Sequence, residues 1–167
     1  MSDHDDLGSS PDSELEASFS FAMGEFTAEF PCDRCYATNH MWASQISGNR
    51  WRFGLTAYAV RLLQDIYFLE WEVDPPVQIA LRAQIGSIES KKAESDLYSP
   101  VAGSLVAINE ATLQDPSLIN ADTYGDGWLV EIETVGQPGL LAPDAYAAHL
   151  VEAWAVAQRT IKGQANH

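Results

Sequence analysis

Positive charge is what this sequence most conspicuously lacks. Lys and Arg number 9 among 167 residues, Asp and Glu number 24, and the formal net charge is −15. Nucleic-acid binders neutralise phosphates with clustered basic side chains, so nucleic acid is disfavoured as a partner. Anionic membrane surfaces recruit the same side chains and are disfavoured too. No apolar run approaches the ~20 residues that span a bilayer. Cysteine is scarce: Cys32 and Cys35 are the whole complement, too few for a disulfide-stapled secreted scaffold. The N-terminus has neither the basic start and apolar stretch of a secretory signal nor the Arg-rich character of a transit peptide. No Gly-x-Gly-x-x-Gly cradle for phosphate occurs, and Ser, His and Asp are not spaced as a catalytic triad.

Hydrophobic residues make up 46% of the chain, enough for one ordinary core. Residues 1–30 hold eight acids and no base. With Gly8-Ser9-Ser10-Pro11-Asp12 inside it, this stretch reads as an acidic, disordered leader, with a weak apolar patch at Phe19–Met23. Residues 31–51 read as irregular chain or a short strand, and Arg52–Leu55 as a strand. Thr56 occupies an N-cap position before a two-turn helix at Ala57–Leu63. Further strands are expected at 65–71, 77–79, 83–90, 103–108 and 128–132, with a polar turn at 91–96 and single helical turns near 109–113 and 116–119. Pro143 opens a C-terminal helix with a buried stripe of Leu150, Trp154, Ala157 and Ile161. Short strands at regular spacing suggest a small antiparallel barrel or sandwich. The five Trp residues read as packing rather than as a ligand cage.

Lysine is the scarcest of the charged residues, at Lys91, Lys92 and Lys162 only. Two of the three stand side by side in one polar turn between strands, flanked by Glu89, Glu94 and Asp96. A solvated turn with local ion pairs is the plain interpretation. The sharper one is an exposed amine awaiting a covalently attached group, which would swing on a long tether between partner sites.

The string Glu89-Ser90-Lys91-Lys92-Ala93-Glu94-Ser95-Asp96, followed by Ser99-Pro100-Val101-Ala102-Gly103, closely resembles the lipoyl-lysine region of the glycine cleavage H-protein family. Alignment on Glu89, Ser90, Ala93, Ser95 and Asp96 puts the modified lysine at Lys92. Tyr36 and His40-x-Trp42, Phe53-Gly54-Leu55-Thr56, Asn109-Glu110-Ala111, Pro116-x-Leu118-Ile119-Asn120 and Tyr124-Gly125-Asp126-Gly127-Trp128-Leu129 extend the likeness over roughly 36–133. The resemblance implies a mainly β, barrel-sandwich hybrid fold of the lipoyl-domain kind, with short helices and a C-terminal helix. It divides the chain into the leader at 1–30, a lipoyl-carrier domain at 31–136 and a C-terminal helix packed on that domain at 137–167.

It also implies a carrier rather than an enzyme, with lipoic acid on Lys92 shuttling an aminomethyl group. The implied partners are glycine decarboxylase, aminomethyltransferase, dihydrolipoamide dehydrogenase and a lipoyl-attaching ligase or transferase. A cytoplasmic monomer is expected. Glu89 and Ser90 are expected to help the attaching enzyme recognise the hairpin, and Asp96 to contact the arm. Three arm-pocket positions depart from the family pattern: Met41 stands where the family has Glu, Asn39 where it has Ser, and Leu62 where a His is expected. An apolar pocket favours an alternative carrier role in another pathway, such as sulfur-compound oxidation or lipoyl relay; an unmodified scaffold of the same fold is a third reading that the departures allow and the retained lysine argues against. Biotin carriers place Met on both sides of the lysine, whereas Lys92 has Lys91 and Ala93. Cys32-Asp33-Arg34-Cys35 offers weak metal candidates, since no second Cys pair exists and the histidines are poorly spaced. Thiol exchange with a dithiol is the other possibility, with Arg34 expected to lower a neighbouring thiol pKa.

Overall fold

The computed structural model describes residues 17–165, with side chains described to residue 160. Eleven strands and four helices occur among the described residues. The strands are β1 (Ser18–Met23), β2 (Phe26–Pro31), β3 (Cys35–Tyr36), β4 (Met41–Ser47), β5 (Arg50–Leu55), β6 (Ile66–Trp71), β7 (Val77–Ile79), β8 (Gln84–Ser90), β9 (Glu94–Tyr98), β10 (Gly103–Ile108) and β11 (Val130–Thr134). The helices are α1 (Ala57–Leu63), α2 (Glu110–Gln114), α3 (Leu118–Ala121) and α4 (Pro143–Ala165). None of these helices is long and apolar enough to cross a membrane.

All strand pairs are antiparallel. A six-stranded sheet runs β3-β4-β5-β11-β10-β7, and a three-stranded sheet runs β6-β8-β9. One side chain in two along each strand points inward. Ala43, Phe53, Leu105 and Ile132 of the larger sheet thereby meet Ile66, Leu69, Ile85, Ile88 and Leu97 of the smaller one in a single core. The expected barrel-sandwich architecture, with short helices and a C-terminal helix, is the one observed.

Local chemistry explains the starts of two helices. Thr56 caps α1, its Oγ1 accepting from the Ala59 N–H at 3.4 Å, and Asn109 caps α2 in the same way through Ala111 at 3.0 Å. Gly54 has no side chain because Trp42 lies flat against it; a Cβ there would meet the indole at 2.7 Å. Glu131, almost fully buried, is held by Arg50 and Arg52, whose Nε atoms donate at 2.8 and 2.9 Å. Arg52 also lies over the Trp128 ring.

Two sequence expectations need correction. Residues 31–51 are not irregular: β4 and β5 form a hairpin closed at Gly48-Asn49. The supposed disordered leader also contains a second hairpin, β1–β2, from residue 18 onward; residues 1–16 lie outside the described residues. The acid count masked a period-two pattern. Met23, Ala28 and Phe30 face inward, while Ser18, Ser20 and Glu29 face out and Ser20 Oγ donates to Glu29 at 2.7 Å. Gly24, at φ 66°, takes the first place of the two-residue loop, where a positive φ suits the strand twist. Smaller shifts are that β9 begins at Glu94, inside the expected turn, and that the last strand runs Val130–Thr134.

The β1–β2 hairpin closes a second, largely aromatic core. Phe19 stacks on Phe30 at 4.9 Å, Phe30 meets Tyr146 edge-on at 5.7 Å, and Tyr36 stacks on Tyr146 at 4.5 Å. Tyr36 donates its hydroxyl proton to the Pro31 carbonyl. Helix α4 buries Tyr146 and Leu150 here, with Trp154 half-buried; of the expected stripe, Ala157 is half-buried and the Ile161 side chain lies outside the described residues. Phe30→Ala should cost about 3–5 kcal/mol in denaturant unfolding, whereas the exposed Val135→Ala should stay within about 0.5 kcal/mol.

Candidate functional site

Lys91, Lys92 and Ala93 join β8 to β9, with the two lysines at the tip and Glu89 opposite Glu94 at its base. Ser90 braces this tip. Its N–H donates to the Ala93 carbonyl at 2.9 Å, and its Oγ accepts from the N–H groups of Lys92 and Ala93 at 3.3 and 3.2 Å. The Lys91 N–H donates to the Asp65 carbonyl at 2.8 Å, tying the tip to the segment entering β6. Ser90 is buried, whereas Lys91 and Lys92 are exposed. Among the described residues, neither lysine forms an ion pair within 4.0 Å. The amine of Lys92 therefore stands free on a stiff mount.

Beside this hairpin lies a cleft of about 210 Å³. Asn39, Met41, Leu62 and Asp96, singled out from sequence as arm-pocket residues, all line it. Met41 is fully buried and shares the apolar floor with Leu55, Ile88 and Leu97. Leu62 is exposed at the rim. Asn39 donates through Nδ2 to the Tyr98 carbonyl at 3.0 Å. Asp96 is exposed on β9 and accepts from the Tyr98 hydroxyl at 3.3 Å. The Asp96 charge beside it raises the pKa of Tyr98 above the usual phenol value. Glu89 and Ser90 lie outside the cleft, Glu89 on the outer face of the small sheet and Ser90 within the turn. A wider cavity of about 480 Å³ adjoins the cleft, sharing Asn39 and Tyr98 with it and lined further by Arg82 and His149.

Two cleft residues were not selected from sequence, His40 and Tyr58. Their rings pack at 4.5 Å. His40 has a left-handed backbone at φ 69°, uncommon for a residue with a side chain. Its N–H donates to the Ala37 carbonyl at 3.1 Å and its carbonyl accepts from Thr56 N–H at 3.0 Å. Burial first, then the nearby His149, lower the His40 pKa to about 4. The ring is therefore neutral near pH 7. In the sequence His40 stands out only as part of His40-x-Trp42 and as one of the poorly spaced histidines, neither of which marks it as a cleft residue. Tyr58 carried no signal beyond its place two residues after the Thr56 cap.

The thiols depart from expectation. Cys32 and Cys35 are free and half-buried, and burial raises the Cys35 pKa. Arg34 does not lower it, because its guanidinium is committed elsewhere: to Asp33 at 3.0 Å, to the Tyr124 carbonyl at 2.9 Å and over the Trp42 ring. A thiol kept protonated is a poor nucleophile for exchange. Among the described residues, no group of three or more His, Cys, Asp or Glu is placed to hold a metal ion.

A free amine on a braced hairpin tip, at the end of a two-sheet sandwich and beside a cleft, is the layout of a carrier domain rather than of an enzyme. The family model described as glycine cleavage H-protein matches residues 34–153, and the chain belongs to that family. A glycine cleavage system H protein from Rubrobacter xylanophilus is 41% identical over 126 residues, covering 75% of this chain and 98% of the relative. A probable one from Natronomonas pharaonis is 43% identical over 126 residues, covering 73% and 97%. The crystal structure of a glycine cleavage system H protein from Mycobacterium marinum superposes with a TM-score of 0.64 at 31% identity, covering 71% of this chain and 97% of that one.

The His40 shift carries a stability consequence. In the unfolded chain His40 binds a proton below about pH 6.5, whereas in the fold it stays neutral down to about pH 4. Between those values the unfolded state binds more protons, so the stability held above pH 6.5 should fall steadily as pH drops toward 4. Histidine NMR titration should show one ring titrating near pH 4, and denaturant midpoints should decline across the same window.

Proposed function

We propose that this chain is the lipoyl carrier of a glycine cleavage system, with the lipoyl group on Lys92 and an aminomethyl group as cargo. The observation that carries the proposal is the exposed amine of Lys92 on a turn braced by Ser90, next to a cleft holding one carboxylate, Asp96. The residues present fit the group: the amine is free to be acylated, and the neighbouring cleft is apolar at its floor and polar at its rim. When bound, a lipoyl dithiolane supplies the sulfur chemistry that accepts and releases the cargo.

The protein supplies display, shielding and recognition. Met41, Leu55 and Ile88 form a floor that excludes water. Asp96 is the anionic acceptor for a cationic amine at the rim, and the Asn39 side-chain oxygen, its nitrogen being engaged with Tyr98, is a neutral second acceptor. Glu89 and Glu94 stand opposite each other at the base of the tip with no basic partner among the described residues. Two like charges directly across a strand pair repel, a cost that basic groups on a docking enzyme would relieve. Glycine decarboxylase, aminomethyltransferase, dihydrolipoamide dehydrogenase and a lipoyl-attaching enzyme are the partners this role requires, and the cytoplasm is the proposed location.

Met41 in the cleft floor favours one second reading, a carrier of the same fold with a different cargo. The names borne by relatives that match across three-quarters of the chain favour glycine cleavage. Co-expression with a lipoate-attaching enzyme should raise the intact mass by one lipoyl group in the wild type and in K91R, and leave K92R unchanged. An unmodified wild type would refute the carrier role. Glycine–bicarbonate exchange with purified partners then reads the cargo. Asp96→Asn removes a charge-assisted hydrogen bond worth ~1.5–3 kcal/mol, so exchange should weaken roughly ten- to a hundredfold.

A further inference from the structure

The state of His40 follows from a buried chain of hydrogen bonds behind the cleft. Thr56 is fully buried, and its Oγ1 already accepts the Ala59 N–H as the cap of α1. Its hydroxyl proton still needs an acceptor. Among the described residues the one within reach is the Tyr146 hydroxyl oxygen, at 3.0 Å. A hydroxyl buried this completely is not left unpaired. Thr56 therefore donates to Tyr146. Tyr146, also fully buried, then has its own proton to place, and the His40 Nδ1 at 2.8 Å receives it. A neutral imidazole that accepts at Nδ1 carries its proton on Nε2.

That Nε2 has no hydrogen-bond partner among the described residues, yet it is not stranded. Trp71 Nε1 is the one buried side-chain nitrogen or oxygen there without a partner, so His40 Nε2 reaches open space. The space that His40 lines is the cleft beside Lys92.

We propose that the Thr56–Tyr146–His40 relay fixes His40 as a hydrogen-bond donor inside the arm cleft, making it a specificity-determining residue that works as a pair with Asp96. Resting on the carrier reading, this names what the cleft selects. It takes a terminal group that accepts from the His40 Nε2–H through a sulfur lone pair and donates an ammonium N–H to the Asp96 carboxylate. A purely anionic cargo is repelled by Asp96, and a purely aliphatic one leaves the His40 N–H without an acceptor. The ring stays in this state because it is neutral; Tyr58, Tyr146 and His149 pack against it, and Asp96 is the one carboxylate among the residues that line the same cleft. Tyr146 is a positioning residue, acting through His40. Its ring is in turn held by Tyr36 and by Phe30 of the β1–β2 hairpin, a hairpin that lies outside the segment matched by the family model.

Histidine-labelled, full-length, unmodified chain tests the relay by NMR. The His40 ring should show a bare Nδ1 and a protonated Nε2 near pH 7. In Y146F, which keeps the packed ring and loses the hydroxyl, the two nitrogens should move toward exchange-averaged shifts. A protonated Nδ1 in the wild type, or Y146F shifts identical to wild type, would overturn the relay. The cargo role is read on lipoylated chain, confirmed by mass and then loaded with the aminomethyl group. Hydrolysis of that group, which consumes water and yields free thiol, ammonium and trappable formaldehyde, should be several-fold faster in Y146F and in H40A than in wild type, and slower in H40Q than in H40A because the Gln amide restores a donor. Equal rates in Y146F and wild type would overturn the donor role. A wild type that never gains lipoate overturns the carrier reading instead, and the tautomer is measured without it.

Discussion

One side-chain hydroxyl sets the geometry of the displayed end. Ser90 Oγ accepts from two successive backbone N–H groups of the β8–β9 tip and donates to the Ala93 carbonyl, all from a buried position. A short turn with no glycine has few other ways to satisfy those donors. The tip is pinned a second time where Lys91 N–H reaches the Asp65 carbonyl across the small sheet. Stiffness in the mount matters because a swinging tether adds its own freedom; any slack in the hairpin would dilute the local concentration the tether provides.

The molecule divides its labour between two packed regions. The core shared by the two sheets is aliphatic and shapes the sandwich, whereas the aromatic core under β1, β2 and α4 lies behind the cleft. Tyr146, Tyr58 and His40 lie between the two, so the cleft beside the Lys92 tip is positioned by chain segments far apart in sequence. The acidic outer face of the small sheet adds a repulsive field around the tip. The carboxylates of Glu89, Glu94 and Asp96 repel anionic surfaces and are complementary to basic ones.

Much of this was legible in the sequence. Thr56 and Asn109 announced their helices by capping chemistry, and the Lys91-Lys92 tip stood out against the scarcity of lysine. Asn39, Met41, Leu62 and Asp96 could be assigned to one pocket through the family pattern, and the fold brings them there. The β1–β2 hairpin was missed because eight acids and a Gly-Ser-Pro stretch dominate the composition of residues 1–30, while the alternation of Phe19, Phe21 and Met23 spans only six residues. His40 and Tyr58 were missed for a different reason. Their roles arise from a ring–ring contact and from a hydroxyl on α4 more than a hundred residues away, and no local pattern encodes either. Arg34 shows the converse error: a base next to two cysteines suggested thiol activation, but tertiary contacts had already claimed its charge.

Phe30, on the last strand of the β1–β2 hairpin, is completely inaccessible to solvent, and the family match begins only at residue 34. The bounds of the family match and the bounds of the packed interior therefore fall in different places. A fragment trimmed to the homologous segment would present the faces of Tyr36 and Tyr146 to water as a sticky aromatic patch. What lies outside the family match is the lid on the smaller, aromatic part of the interior.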